Sequence, residues 1–457
     1  MKGNVRLCLA IACLVLLIPA VAACGGSGAN ANWVRQFGTA DSDAASGVAV
    51  DGEGNVIVVG DTWGTFPGQN NSGETDAYVR KVSPAGSVVW TRQFGSSDSE
   101  QGKAVAVDGA GNIIVVGITD GALPGQGSLG RMDAFIRKLS PAGAELWTRQ
   151  FGSKNWDEAS SVAVDAAGDI IVAGYSEVPD EATVAEELAG GIVLSLAPIG
   201  VGDAFVRKFS SAGVELWARQ FGLPGGDEAL AVAVDGGGNI IVAGAVGFGY
   251  NVIDVALPGQ AAAGGADAFV RKYSRDGTVL WTDQFGSRFD DWAYDVIVDG
   301  AGDIIVAGYT EGTLSGQKAS GAGDAFVRKL NAAGAELWMH QFGSADSDQA
   351  SGVAVDSEGN IFLAGDTWGT LAGQVASGSD DAFVQKLSPA GVELWTNQFG
   401  SASWALCSEV AVDGGGNVIV VGATNDALSG QKSAGSWDAF VLKGGNASGP
   451  PLTPAGG

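Results

Sequence analysis

Histidine is almost missing from this chain. His340 is the only one in 457 residues, beside four cysteines and three methionines. One histidine cannot build a histidine-rich metal centre or a repeated acid–base pair. Basic residues are also scarce, 25 Lys and Arg against 51 Asp and Glu. Such a surface repels nucleic acid and anionic lipid headgroups, which excludes both as partners by charge. No segment shows long helical periodicity. The glycine patterns therefore lead into no helix that could hold a phosphate. The longest early apolar run, Leu7 to Ile18, is too short for a comfortable membrane span. Cys8, Cys13 and Cys24 lie in the first 24 residues. Cys407 is then alone in the remainder, and no disulfide is expected within the mature chain.

The first residues read as a targeting segment. Lys2 and Arg6 give a positive start, the apolar run follows, and Val21-Ala22-Ala23-Cys24 ends it. That string resembles a bacterial lipobox. The resemblance implies a signal peptide over 1–23 and lipidation of Cys24. Gly25 follows where an Asp would signal inner-membrane retention, so the expected location is the outer membrane or cell surface. Residues 24–32 then form the lipidated Cys and a flexible tether. The Gly- and Pro-rich residues 444–457 form a disordered tail.

What the chain has in abundance is repetition. Trp33, Trp90, Trp147, Trp217, Trp281, Trp338 and Trp395 each open a W-x-x-Q-F-G string. Every full copy continues through V-x-V-D, an apolar G-(N/D)-(I/V) run, and D-A-(F/Y)-(V/I)-x-K. The second copy shows four apolar runs: Ala104–Asp108, Asn112–Gly117, Asp133–Ser140 and Glu145–Gly152. They are rich in Val, Ile, Phe and Trp and bounded by turn residues, which predicts strands. Four strands at a period of 40 to 60 residues indicate a β-propeller. The predicted fold over 33–443 is all-β: a seven-bladed propeller of four-stranded antiparallel blades. V-x-V-D is placed innermost and W-x-x-Q-F-G outermost. The chain starts with an outermost strand and its last copy lacks one. Trp33–Gly38 should therefore pair with the last C-terminal blade and close the ring.

The strings D-A-F-V-R-K-L-S-P-A-G-x-E-L-W and G-V-A-V-D-x-x-G-N-(I/V) resemble the bacterial SBBP-type β-propeller repeat family. The resemblance implies an exported lipoprotein propeller. It carries no catalytic residues to this sequence.

Two acidic columns recur. The first stands ten positions after each Trp: Asp43, Glu100, Asp157, Asp227, Asp291 and Asp348, with Ala405 in the last copy. The second is Asp76, Asp133, Asp203, Asp267, Asp324, Asp381 and Asp438. Both fall where chains enter strands on one rim. Hard oxygen ligands there suit Ca²⁺. Against that stands a turn role, each Asp bonding loop backbone as every blade requires. The Asp of V-x-V-D reads as an Asx-type turn rather than a calcium loop.

Two copies depart from the pattern. The loop from Gly174 to Asp203 holds 28 residues, with Glu186 and Glu187 in a Glu-rich part expected to form a short helix. The loop from Gly244 to Asp267 holds 22, including Phe248, Tyr250 and Asn251. Loops on a rigid scaffold carry recognition, and those three residues are the candidate ligand contacts. His340 occupies an outer-strand slot held elsewhere by Arg149, Asp283 and Asn397, so no catalytic residue is assigned. Cys407 replaces Ala159 and is expected to act as a small buried hydrophobe.

The expected function is a lipid-anchored, non-catalytic binding scaffold, a monomer whose partner is a protein or polysaccharide at the cell surface. The membrane is met through the lipid alone. No cofactor is expected beyond the candidate Ca²⁺. The alternative is a propeller enzyme acting on polysaccharide, a lyase or hydrolase.

Overall fold

A computed structural model describes residues 32–177, 184–188, 191–195, 202–249 and 255–444. Cys24, its tether and residues 445–457 lie outside the described residues, as do Tyr250 and Asn251. Seven four-stranded antiparallel sheets form the blades, over residues 43–94, 100–151, 157–221, 226–285, 291–342, 348–399, and 405–444 joined by 33–37. Each innermost strand touches those of both neighbouring blades, so the seven inner strands form a closed ring around a central channel. Closure uses the first strand, Trp33–Phe37, which pairs with Asp438–Gly444 in register Trp33 to Lys443 and Phe37 to Ala439.

The repeated residues explain the repeated geometry. In each blade the second and third strands are buried on both faces, as Ile113–Thr119 and Asp133–Leu139 are. Blade packs on blade through an aromatic pair at every junction. Phe94 meets Phe135 edge-on at 5.8 Å, Phe221 meets Phe269 at 5.4 Å, and Phe37 meets Tyr78 at 6.0 Å across the closure. Edge-to-face geometry sets the positive ring edge on the negative face and adds about 1 kcal/mol beyond burial. The W-x-R pair clamps the next blade's outer turn. Trp33 Nε1 donates to Pro84 O at 3.0 Å and Arg35 Nε to Gly86 O at 2.8 Å. Gly86 must be glycine twice over: its φ is +81°, and a β-carbon would meet the Trp33 ring at 2.8 Å.

The Asp of V-x-V-D forms an Asx turn. Asp108 Oδ1 accepts the amides of Ala110 and Asn112, both at 2.9 Å. Its other oxygen meets the Lys of D-A-F-V-x-K, and one such ion pair occurs in every blade. Lys138 lies 2.8 Å from Asp108, Lys272 2.9 Å from Asp235, and Lys443 2.6 Å from Asp413. Burial opposes ionisation of Asp108, but its bonds from Lys138 and Asn112 outweigh this and lower its pKa. Removing one partner strands a buried charge. Lys138→Met should therefore cost about 3–5 kcal/mol. Adding Asp108→Asn should recover most of that loss, because the Asx turn keeps its oxygen; chemical denaturation of both variants checks this.

The inner strands begin earlier than the apolar pattern places them. In blade 2 the strand is Glu100–Val107, four residues ahead of the first apolar residue expected. Its polar start faces the channel or a blade junction, so apolar periodicity does not mark it. Each inner strand also carries a β-bulge two residues after its first-column position, as between Gly102 and Ala104. The Glu-rich loop differs in kind. Val184–Leu188 and Gly191–Ser195 pair antiparallel, with Glu186 opposite Val193 and Glu187 opposite Ile192. The expected helix is thus a two-stranded hairpin. A run this short does not repay helix nucleation, whereas Ile192–Leu194 offers a strand partner.

Candidate functional site

The acidic columns stand at the blade junctions. Asp43, Glu100, Asp157, Asp291 and Asp348 each open an inner strand, and Asp227 is the second residue of its strand. All six are buried. Each accepts the backbone N–H four residues earlier: Thr39 to Asp43 at 2.5 Å, Ser96 to Glu100 at 2.6 Å, Ser153 to Asp157 at 2.5 Å, Leu223 to Asp227 at 2.7 Å, Ser287 to Asp291 at 2.5 Å and Ser344 to Asp348 at 2.6 Å. The second column is held by glutamine. Gln93 Nε2 donates to Asp76 at 2.8 Å and to Gly64 O at 2.9 Å. Gln36 does the same for Asp438 across the closure, at 2.8 Å. The two columns meet in pairs around the glycine of Q-F-G. A β-carbon on Gly286 would lie 2.6 Å from Asp291 Oδ2 and 2.7 Å from Asp267 Oδ1. The carboxyls take the space of a side chain, which explains that glycine. Among the described residues, no three His, Cys, Asp or Glu side chains gather as a metal-ligating group.

Seven near-copies in one chain allow a second comparison. Scaffold positions barely change from blade to blade, while some inner-strand positions depart sharply in single blades. The second residue after the bulge start illustrates this. It is small in five blades, Gly47, Ala104, Ser161, Ala231 and Gly352, but Asp295 in blade 5 and Glu409 in blade 7. The residue after the first acidic column runs Ala44, Gln101, Glu158, Glu228, Trp292, Gln349, Leu406. Polar contacts link these positions around the channel mouth. Lys103 pairs with Glu158 at 3.1 Å, Ser160 donates to Glu228 at 3.4 Å, and Gln349 bonds Asp366 at 3.0 and 3.1 Å.

Asp295 and Glu409 converge over blade 6. Asp295 Oδ2 accepts Val353 N at 2.8 Å. A β-carbon on the preceding residue, Gly352, would lie 2.6 Å from Glu409 Oε1. Burial raises both pKa values, and the Asp295 charge raises Glu409 further. Burial lifts Glu228 to about 7, with Glu158 adding to it, and lifts Asp366 to about 6. Aromatics flank this acid-rich mouth. Trp292 and Tyr294 stand on blade 5, and Phe248 packs its ring on Trp292 at 5.0 Å. Phe248 is thus the outer support of a channel aromatic.

The rim around this mouth bears exposed indoles. Trp63 and Trp368, 60% and 64% exposed, follow the second strands of blades 1 and 6. Trp156 and Trp404 precede the inner strands of blades 3 and 7, and Trp404 packs edge-on against Trp437 at 6.0 Å. Sequence reasoning passed over these residues and the channel acids. The signal was the departure of single blades from an otherwise uniform column. His340 sits on the outer strand of blade 5, stacked on Trp338 at 5.2 Å, away from the mouth. Cys407 is buried, and burial raises its thiol pKa well above the usual value.

Two stretches match the SBBP β-propeller repeat: residues 32–67 and 337–371. The regulatory protein FlaEY of Caulobacter vibrioides is 25% identical, over 92% of this chain and 45% of its own length. An uncharacterized WD repeat-containing protein of Acanthamoeba polyphaga mimivirus is 22% identical, over 78% of this chain and 32% of its own. The chain thus spans less than half the length of either relative. Among solved structures, a catalytically inactive virginiamycin B lyase from Staphylococcus aureus, bound to quinupristin, aligns at TM-score 0.47 and 9% identity, covering 90% of this chain and 99% of that one. The Neurospora crassa Pan2 WD40 domain aligns at TM-score 0.47 and 9% identity, covering 92% and 100%.

Proposed function

We propose that the protein is an exported, lipid-anchored binding module that holds a polysaccharide on the rim surrounding the channel mouth. Cys24 is its anchor, and it works as a monomer at the outer membrane or cell surface. The observation that carries this reading is the set of four exposed indoles, Trp63, Trp156, Trp368 and Trp404, on one rim, the rim that also bears the blade 3 and blade 4 loops. An indole presents a flat apolar face that fits the C–H face of a pyranose, while nearby carboxylates and amides serve its hydroxyls. A protein ligand is the other outcome of the test below.

Replacing Trp63 and Trp368 together by alanine should weaken capture of cell-envelope polysaccharide at least about tenfold, since interface Trp anchors are worth about 2 kcal/mol or more. Phe248→Ala with Tyr250→Ala tests the blade 4 loop in the same assay. The melting temperature of the Trp variant should not move, because both rings are exposed. Unchanged polysaccharide capture would sink the rim reading, and capture of a protein alone would change the ligand class.

The enzyme alternative has one specific observation in its favour, the Asp295–Glu409 carboxyl pair. Incubation with acidic and neutral glycans, followed by a reducing-end and unsaturated-product assay, is expected to show no turnover. Product that disappears in Asp295→Asn would establish the lyase or hydrolase reading instead.

A further inference from the structure

We propose that the channel mouth receives a protonated amine, so that the bound polysaccharide carries free amino sugars. This rests on the polysaccharide reading and names its ligand class. Glu158, Glu228, Asp295 and Glu409 stand on inner strands, with Asp61 and Asp366 one strand behind. The basic side chain among them, Lys103, is engaged with Glu158 at 3.1 Å. Burial holds part of this carboxyl cluster protonated, and an ammonium group entering the mouth would replace those protons and pair with the carboxylates.

The second feature is aromatic and independent of charge. Blade 5 alone places an indole and a phenol, Trp292 and Tyr294, at inner-strand positions that hold Ala44 and Ser46 in blade 1. Tyr309 pairs with Trp292 on the adjoining strand, and Phe248 backs the indole at 5.0 Å. Aromatic faces beside carboxylates form the environment that holds an ammonium group, through the ring quadrupole and direct charge together. A neutral sugar gains from the aromatics but nothing from the charge of the carboxyls, which then stay protonated. Gly352 makes room for the Glu409 carboxyl: a β-carbon there would lie 2.6 Å from its Oε1.

The test uses the full chain and three probes in calorimetric titration: a fully de-N-acetylated glucosamine tetramer, its N-acetylated counterpart, and spermidine. The amine tetramer should bind at least tenfold tighter than the acetylated one. Asp295→Asn with Glu409→Gln should abolish that preference and leave the melting temperature near the parent's. Both substitutions keep the oxygen that accepts Val353 N or Val410 N. Trp292→Ala should weaken both tetramers. Equal binding of the two tetramers would overturn the amine assignment and leave the polysaccharide reading standing. Spermidine binding without either tetramer would overturn the polysaccharide reading and keep the amine site. Binding of none of the three overturns both.

Discussion

A chain lacking residues 33–37 is expected to lose its cooperative fold. This strand supplies the outer edge of blade 7 and packs it on the outer turn and aromatics of blade 1. Trp33 is buried, and Phe37 packs on Tyr78 and on Phe66. Arg80 lies 3.9 Å from the centre of the Phe37 ring. Gln36 ties Asp438 and the loop at Leu428, whose amide it accepts at 2.8 Å. Truncating one buried Phe or Trp costs about 3–5 kcal/mol. Losing two consumes most of a typical total stability of about 5–15 kcal/mol. The ring then becomes an open row of blades, in which each blade leans only on its neighbours. Urea unfolding should turn from one steep transition into a broad, shallow one. A peptide of residues 32–38 added in trans should restore the steep transition. A truncated chain that melts at the parent temperature with the parent cooperativity would show that closure does not hold the ring.

The blades were legible because each physical need recurs seven times. Turn residues, β-branched runs and the W-x-x-Q-F-G string repeat at fixed spacing, and the missing outer strand at one end matched the surplus at the other. What was hidden is what does not repeat. Asp295 and Glu409 are ordinary polar residues in any single copy, and only the ring brings blades 5 and 7 to opposite sides of Gly352. The acidic columns were legible as turn residues but not as pairs. Their spacing places both columns at strand starts on one rim, which is where they stand. Yet folding delivers them in pairs to separate junctions, because the second column of one blade meets the first column of the next. By sequence spacing Phe248 falls in a long loop. It instead ends a strand and supports Trp292, since β-pairing with Gly226 extends blade 4 further than the turn residues suggest.

Those junction pairs predict a protein that is more stable at pH 5 than at pH 8. Burial lifts Asp203 and Asp291 to about 6, from 3.8 in an unfolded chain. Asp43, Glu100, Asp227 and Asp348 move the same way, first through burial and then through the paired carboxylate of the second column. Two facing carboxyls cannot both ionise cheaply, so the folded state keeps protons that the unfolded state has released. A raised carboxyl pKa contributes its stability below the unfolded value and loses it as pH rises through the folded value. For Asp203 and Asp291 that window is about pH 4 to 6, and each shift is worth about 3 kcal/mol. The seven Lys–Asp pairs act oppositely. Their lowered pKa values remove stability only as pH falls below the unfolded carboxylate value. Stability should therefore peak near pH 4 to 5 and decline on both sides. Overall negative charge also favours lower pH, but 1 M salt screens that and not a buried pair. Thermal melts from pH 3 to 8 at low and high salt separate the two. Asp203→Asn with Asp291→Asn should flatten the decline and melt above the parent at pH 8, because each amide can donate to its partner carboxylate. A melting temperature that climbs from pH 5 to 8 would refute the shared-proton account. One that falls on adding EDTA at pH 8 would mean the pairs hold Ca²⁺ in place of the proton.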